Sequence, residues 1–248
     1  MDPNFSYAVL GIAATLLIAS IFFLWQVKQE RLANEIMLKR DHDLRELTSR
    51  QYNEPRDINA DRDLIQVASK YEGITEVRVM GINSLGVIHQ AREDIIKLLK
   101  AGKSIKFLLL NPLSDEFNNR INDFECVYDG VKRDFQKHRH RLIAEWNSSV
   151  MILRSILSDI NRDVSLEIRV RKEKPEFAMS ATIGKNELDC FSLINEYPSE
   201  GRGTRGKQYL SRKYIPSEKR TYEEFLVNFE ESWNNAEPIS IADNKWIL

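Results

Sequence analysis

The sequence predicts an α/β protein: one α/β sandwich domain, a mixed sheet flanked by helices, hung behind an N-terminal transmembrane helix and a helical stalk. Three observations carry this. Residues 7–27, YAVLGIAATLLIASIFFLWQV, contain no charge, and at about 1.5 Å rise per residue such a run crosses a hydrocarbon core. Residues 76–110 read strand, helix, strand, the rhythm of a β-α-β unit with a parallel pair. Residues 221–233 carry the apolar stripe of an amphipathic helix that must lie against a sheet or another helix.

The first segment, 1–27, reads as an anchor. Trp25 stands at its far end, where an amphipathic ring favours the interface, and Lys28 and Arg31 follow at once. A cleaved signal peptide would place positive charge before the apolar run, but only Asp2 stands there. The excess of Lys and Arg after the span puts the N-terminus outside a cell inner membrane, single-pass, with the remainder in the cytoplasm. Cys126 and Cys190 are too few for a disulfide scaffold and fit a reducing compartment as buried thiols. Gly11, Thr15 and Ala19 recur every four residues and form a small-residue ridge for packing between membrane helices.

Residues 28–53 form the stalk, free of Gly and Pro, with Ala33, Met37, Leu44 and Leu47 on an approximate coiled-coil track that Arg40 interrupts, so a coiled coil and a charged helical spacer both fit. Anchor and stalk together predict a homo-oligomer. Pro55 breaks the helix, and the cytoplasmic domain, 54–248, begins there.

Within the domain, 59–71 is a short amphipathic helix stopped by Gly73. Strand 76–82 ends at Asn83-Ser84, and Ser84 caps a helix running to about 101. Strand 104–110 ends at Asn111-Pro112, and Ser114 caps a helix over 114–123. Residues 129–161 form a long helix whose KRDFQKHRHR run reads as a solvated basic face. His138 and His140, two apart, point to different faces and make poor metal ligands. Residues 164–171 alternate as a strand, and 177–183 and 189–194 are two more around a turn at Gly184-Lys185-Asn186. Thr221 and Glu224 form a capping box for the last helix, whose stripe is Tyr222, Leu226, Phe229 and Trp233 with Phe225 beside it. Trp246-Ile247-Leu248 is an apolar tail that docks onto the domain.

Composition narrows the function. The net charge is −1 with 29% charged residues, which argues against nucleic acid held by bulk electrostatics. Neither a metal-ligand cluster nor a Ser-His-Asp order stands out, so no catalytic residue, metal or cofactor is assigned. Ligands of open α/β sheets sit beyond the carboxyl ends of the strands. That rim here holds Asn83, Ser84, Asn111 and Ser114, with Arg120 nearby and Arg169 and Arg171 supplying positive charge. In SEGRGTRGKQ, glycines alternate with Arg202, Arg205 and Lys207, which reads either as a flexible basic surface loop or as a loop suited to gripping phosphate.

The runs EVRVMGINS, AGKSIKFLLLNPLSDEFNNR, SLEIRVRKEKPEFAMSATIG and YEEFLVNFEESWNNAEP, in this order, resemble the phospholipase D-like superfamily over residues 74–238. They look most like a divergent branch found in bacterial proteins, including a domain attached to helix-turn-helix regulators. Active members carry His-x-Lys-x4-Asp. In this sequence those places fall on Phe177, Met179 and Gly184. The resemblance therefore implies the fold and a phosphate-binding cleft without the covalent phosphohistidine chemistry, which needs an imidazole nucleophile.

The expected function is a membrane-anchored, non-catalytic sensor or effector. Its cytoplasmic domain binds a nucleotide, another phosphorylated ligand or a cytosolic protein partner, in bacterial stress signalling or antiviral defence. Two alternatives stand beside it: a structural subunit docking a cytosolic enzyme to the membrane, and a phosphodiesterase or nuclease with a non-standard active site.

Overall fold

The structure, a computed structural model, describes residues 20–32, 34–35, 38–39, 42, 59–82, 84–120, 127–128, 131–132, 135–160, 164–173, 177–196 and 208–239. The chain divides into two compact units, Met1–Ser49 and Arg50–Leu248.

In the first unit, residues 20–32 are helical. Ile21, Phe22, Phe23, Leu24 and Trp25 are all exposed, and the Phe22 and Trp25 rings lie 5.9 Å apart. Most of the expected anchor, residues 7–19, and with it Gly11, Thr15 and Ala19, lies outside the described residues. Among the described residues no helix is long and apolar enough to cross a membrane.

The second unit is a mixed sheet with flanking helices. Its helices are α1 (Asn59–Lys70), α2 (Leu85–Gln90), α3 (Arg92–Lys100), α4 (Asp115–Arg120), α5 (Phe135–Ile160) and α6 (Pro216–Asn234). Its strands are β1 (Ile74–Gly81), β2 (Ser104–Leu110), β3 (Val127–Tyr128), β4 (Val131–Lys132), β5 (Leu166–Arg171), β6 (Phe177–Gly184), β7 (Phe191–Glu196), β8 (Gln208–Arg212) and β9 (Glu237–Ile239). Seven strands form one sheet in the order β8-β7-β6-β1-β2-β5-β9. The core is parallel, β1 with β2 and β2 with β5, as the β-α-β rhythm predicts. Antiparallel strands extend it on both sides, β6, β7 and β8 on one and β9 on the other.

Register sorts the side chains. Val77 and Val79 share one face with Ile105, Phe107 and Leu109, all at most 1% exposed. Helix α1 contacts β1 and α3 contacts β2, and α5 packs on α2 and α3. The other face presents Met80, Leu108, Met179 and Ile194 to Phe229, Trp233 and Ala236, with Phe225 and Leu226 of α6 partly buried against them. The predicted stripe of the last helix is thus the lid of this second core.

Several expected elements differ. The helix after Ser84 is two helices, broken at Ala91, where φ −94° and ψ 12° depart from helical values. The long helix begins at Phe135, six residues later than expected, because β3 and β4 precede it as an antiparallel pair. Asp129-Gly130 between them is a strong hairpin signal in the sequence. The last helix starts at Pro216, not at Thr221. Proline at the first helical position costs no hydrogen bond, and Glu218 complements the N-terminal dipole. Thr221 and Glu224 therefore lie inside the helix, where Glu224 accepts from Arg220 Nε at 2.7 Å. A short 3-10 turn, Glu187–Asp189, replaces the start of the strand expected at 189. His138 is not on a solvated face. It is 9% exposed, on the side of α5 that buries Leu142 and Trp146. Cys190 is a buried free thiol, while Cys126 and the tail 246–248 lie outside the described residues.

Candidate functional site

Two polar constellations flank the central strands. The first is the rim at the carboxyl ends of β1, β2 and β5. Asn111 N–H donates to the Arg171 carbonyl at 2.8 Å and Leu110 N–H to the Ile82 carbonyl at 3.3 Å, which ties the three strand ends together. Asn111 is 8% exposed; its Oδ1 accepts from Leu113 N–H at 2.9 Å. Ser114 donates through Oγ to the Asn111 carbonyl at 2.7 Å and accepts from Phe117 N–H at 3.2 Å. Ser114 is therefore the helix cap the sequence predicts, worth about 1 kcal/mol. Replacing Asn111 by Ala is expected to cost about 1 kcal/mol through the lost turn, read as a fall in the thermal midpoint.

Ser84 behaves differently from a simple cap. It stands before α2 with φ 50° and ψ 17° and makes no side-chain capping bond. It is the one non-glycine residue with positive φ among the described residues. A side chain held there costs on the order of 1–2 kcal/mol, and such residues cluster where a site demands a fixed geometry.

The second constellation lies beneath α6, and the sequence reading missed it. On the face with Met80 and Leu108, β1 and β2 also present Glu76, Arg78, Ser104 and Lys106. Arg78 is 7% exposed. It is bonded to Glu76 through Nε at 2.5 Å and to Glu230 through Nη2 at 2.5 Å, with its guanidinium 5.2 Å from the Phe229 ring centre. Lys106 Nζ lies 3.2 Å from the second oxygen of Glu76, to which Ser104 Oγ also donates at 3.0 Å. Burial acts to raise the Glu76 pKa, but the hydrogen bond and charge of Arg78 and the charge of Lys106 outweigh it and hold the carboxyl below its usual range. The signal was present in the strand itself. EVRVMG alternates polar Glu76 and Arg78 with Val77 and Val79, and both polar residues face α6.

Arg169 and Arg171 belong to this seam and not to the rim. Arg169 Nη1 donates to the Trp233 carbonyl at 3.0 Å, with its guanidinium 4.7 Å from that indole's centre. Arg171 Nη1 donates to Ser232 Oγ at 3.0 Å. Both cations thus serve the C-terminal turn of α6, where the helix dipole favours positive charge.

The structure therefore joins Asn111 and Ser114 by hydrogen bonds, leaves Ser84 two residues past the Ile82 carbonyl that β2 binds, and seats Arg169 and Arg171 against α6. Asn83, Arg202, Arg205, Lys207 and the Arg120 side chain lie outside the described residues. Phe177 and Met179, 9% and 0% exposed, pack beneath α6, with Phe225 edge-on to Phe177 at 4.9 Å. Among the described residues no group of three or more His, Cys, Asp or Glu is placed to hold a metal ion.

Fold and site together define a class: a mixed α/β domain with a polar rim at its parallel strand ends and its last helix clamped over a charged seam. The chain belongs to the family described as "Domain of unknown function (DUF5919)", which matches residues 55–240. No curated protein matches the chain. Weak structural similarity exists to TrmBL2, an archaeal chromatin protein described as showing a novel mode of DNA binding. It has 17% identity and a TM-score of 0.40, over 86% of this chain and 68% of that one. A phospholipase D family member, Nuc from Salmonella typhimurium, is similar at 12% identity and a TM-score of 0.34, over 72% of this chain and 90% of that one. At these scores neither likeness decides the function.

Proposed function

We propose that this protein is a membrane-anchored, non-catalytic sensor or effector whose cytoplasmic, phospholipase D-like domain binds a phosphorylated ligand at the rim of its parallel strands. The observation that carries the reading is Ser84, a residue with left-handed backbone three positions after β1, two past the Ile82 carbonyl that β2 binds. Two further facts support it. Phe177 and Met179 fill the core where the resemblance would place a nucleophile and its lysine. The charge-free run before Trp25 and the exposed Ile21–Trp25 helix suit a lipid environment. In this reading the anchor and stalk associate into a homo-oligomer and carry the domain's state to the membrane.

Native mass spectrometry of the full chain, gently extracted from its own cells, is the direct test. A nucleotide-sized mass on the parent is expected, lost in Ser84→Asn and Asn111→Ala. A chain that carries no small molecule, or carries a cytosolic protein instead, removes the ligand reading and favours a docking subunit. Ser84→Gly separates function from fold. Glycine adopts positive φ without cost, so its stability is expected to be unchanged or about 1 kcal/mol higher. Ligand retention should nevertheless fall, because the hydroxyl is gone.

A further inference from the structure

The outermost strand on one side of the sheet is β8, whose inner neighbour is β7. Arg212 stands opposite Phe191, and Lys213 N–H donates to the Cys190 carbonyl at 3.0 Å. That places Arg212 at a position whose own backbone groups turn away from β7. Its N–H, facing outward, is taken by a side chain: Glu218 Oε2 accepts it at 2.9 Å. The same carboxylate holds the Arg212 side chain, with Nε at 2.8 Å and Nη2 at 2.6 Å. Glu218 comes from the first turn of α6, so the helix that covers one face of the sheet also closes the end of its edge. By the two-residue period, Leu210 turns its backbone groups outward as well. Among the described residues no strand pairs with β8 on that side.

An outer strand with open amides is a template for pairing with another chain, and an ion-paired carboxylate seated on one of those amides denies the incoming strand its partner. We infer that Glu218 is the guard of the β8 edge, holding the domains of neighbouring copies apart so that strand pairing between them does not occur. This role of Glu218 needs no ligand at the rim. It also assigns self-association, where it occurs, to parts of the chain other than this edge.

The test is the mass of the full chain in detergent, measured by sedimentation velocity beside the parent protein. Glu218→Ala is expected to form species at least twice the parental mass. Adding Leu210→Pro, which removes an outward N–H that β7 does not use, is expected to restore the parental mass. Glu218→Gln keeps the shape with a single carbonyl acceptor and serves if the alanine variant melts early. Its expected mass lies between parent and Glu218→Ala. Parental mass for both Glu218 variants overturns the inference, and so does a larger species that Leu210→Pro leaves intact.

Discussion

Gly184→Ala is expected to destabilise the domain by about 3 kcal/mol, a fall of roughly 6–12 °C in the thermal midpoint for a domain of this size. A Cβ at that position would lie 1.9 Å from Asp189 Cβ and 3.0 Å from both Asp189 Cγ and the Gly73 carbonyl oxygen. Asp189 has nowhere to go. It is 2% exposed, its Oδ2 accepts from Asn186 N–H at 3.3 Å, and its carbonyl accepts from Thr182 Oγ1 at 2.7 Å. The clash is with the root of the side chain, so relief requires movement of backbone.

Gly73 meets the other end of the same residue, since a Cβ there would lie 2.2 Å from Asp189 Oδ2 and 2.5 Å from Cγ and Oδ1. The two glycines therefore predict coupling to the Asp189 carboxylate at Gly73 and little at Gly184. Asp189→Ala removes the carboxylate and should rescue much of a Gly73→Ala defect, while leaving the Gly184→Ala defect in place because the Cβ remains. A double-mutant cycle in denaturant reads this directly. Equal rescue of both glycine variants would show that the contact at Cβ is not what excludes alanine at Gly184.

Arg78→Ala is the second large effect, about 3 kcal/mol. The loss leaves Glu76, whose side chain is 16% exposed, without its nearest cation; it also frees Glu230 and removes the guanidinium from the Phe229 ring. Removing one partner of a buried pair costs more than removing both. Arg78→Met with Glu76→Gln should therefore be much nearer the parent than Arg78→Ala alone. The pH dependence has a definite sign. Glu76 is held below its ordinary value of 4.5 in the fold. Its ionic contribution is present above that unfolded value and disappears as pH falls through the lower folded one. Below pH 4.5 the stability gap between parent and Arg78→Ala should narrow. A gap that stays constant down to acid unfolding would mean that lost packing, not charge, causes the defect.

Much of the fold was legible in local pattern. The alternation of 164–171, the β-α-β rhythm of 76–110 and the Tyr222, Phe229 and Trp233 stripe each follow from one period matched to one buried face. The short outer strands were not legible. β8 lies at the end of a glycine-rich basic run and β9 is three residues around Pro238; both are strands because β7 and β5 offer them partners. The rim was half legible. Strand-end Asn and Ser are visible in a sequence, but the left-handed backbone of Ser84 is not. That Arg169 and Arg171 meet the end of α6 is not visible in the sequence, because β5 and α6 lie far apart in the chain.

The sequence alone determined the parallel β1–β2 pair, the amphipathic lid and the charge-free run ahead of the domain, because hydrophobic periodicity is a local property of the chain. Only the tertiary structure decided which polar residues meet. Arg78 finds Glu230 across 152 positions (230 − 78), and Gly73 finds Asp189 across 116 (189 − 73). Such pairings depend on register between strands distant in the chain, which no local pattern encodes.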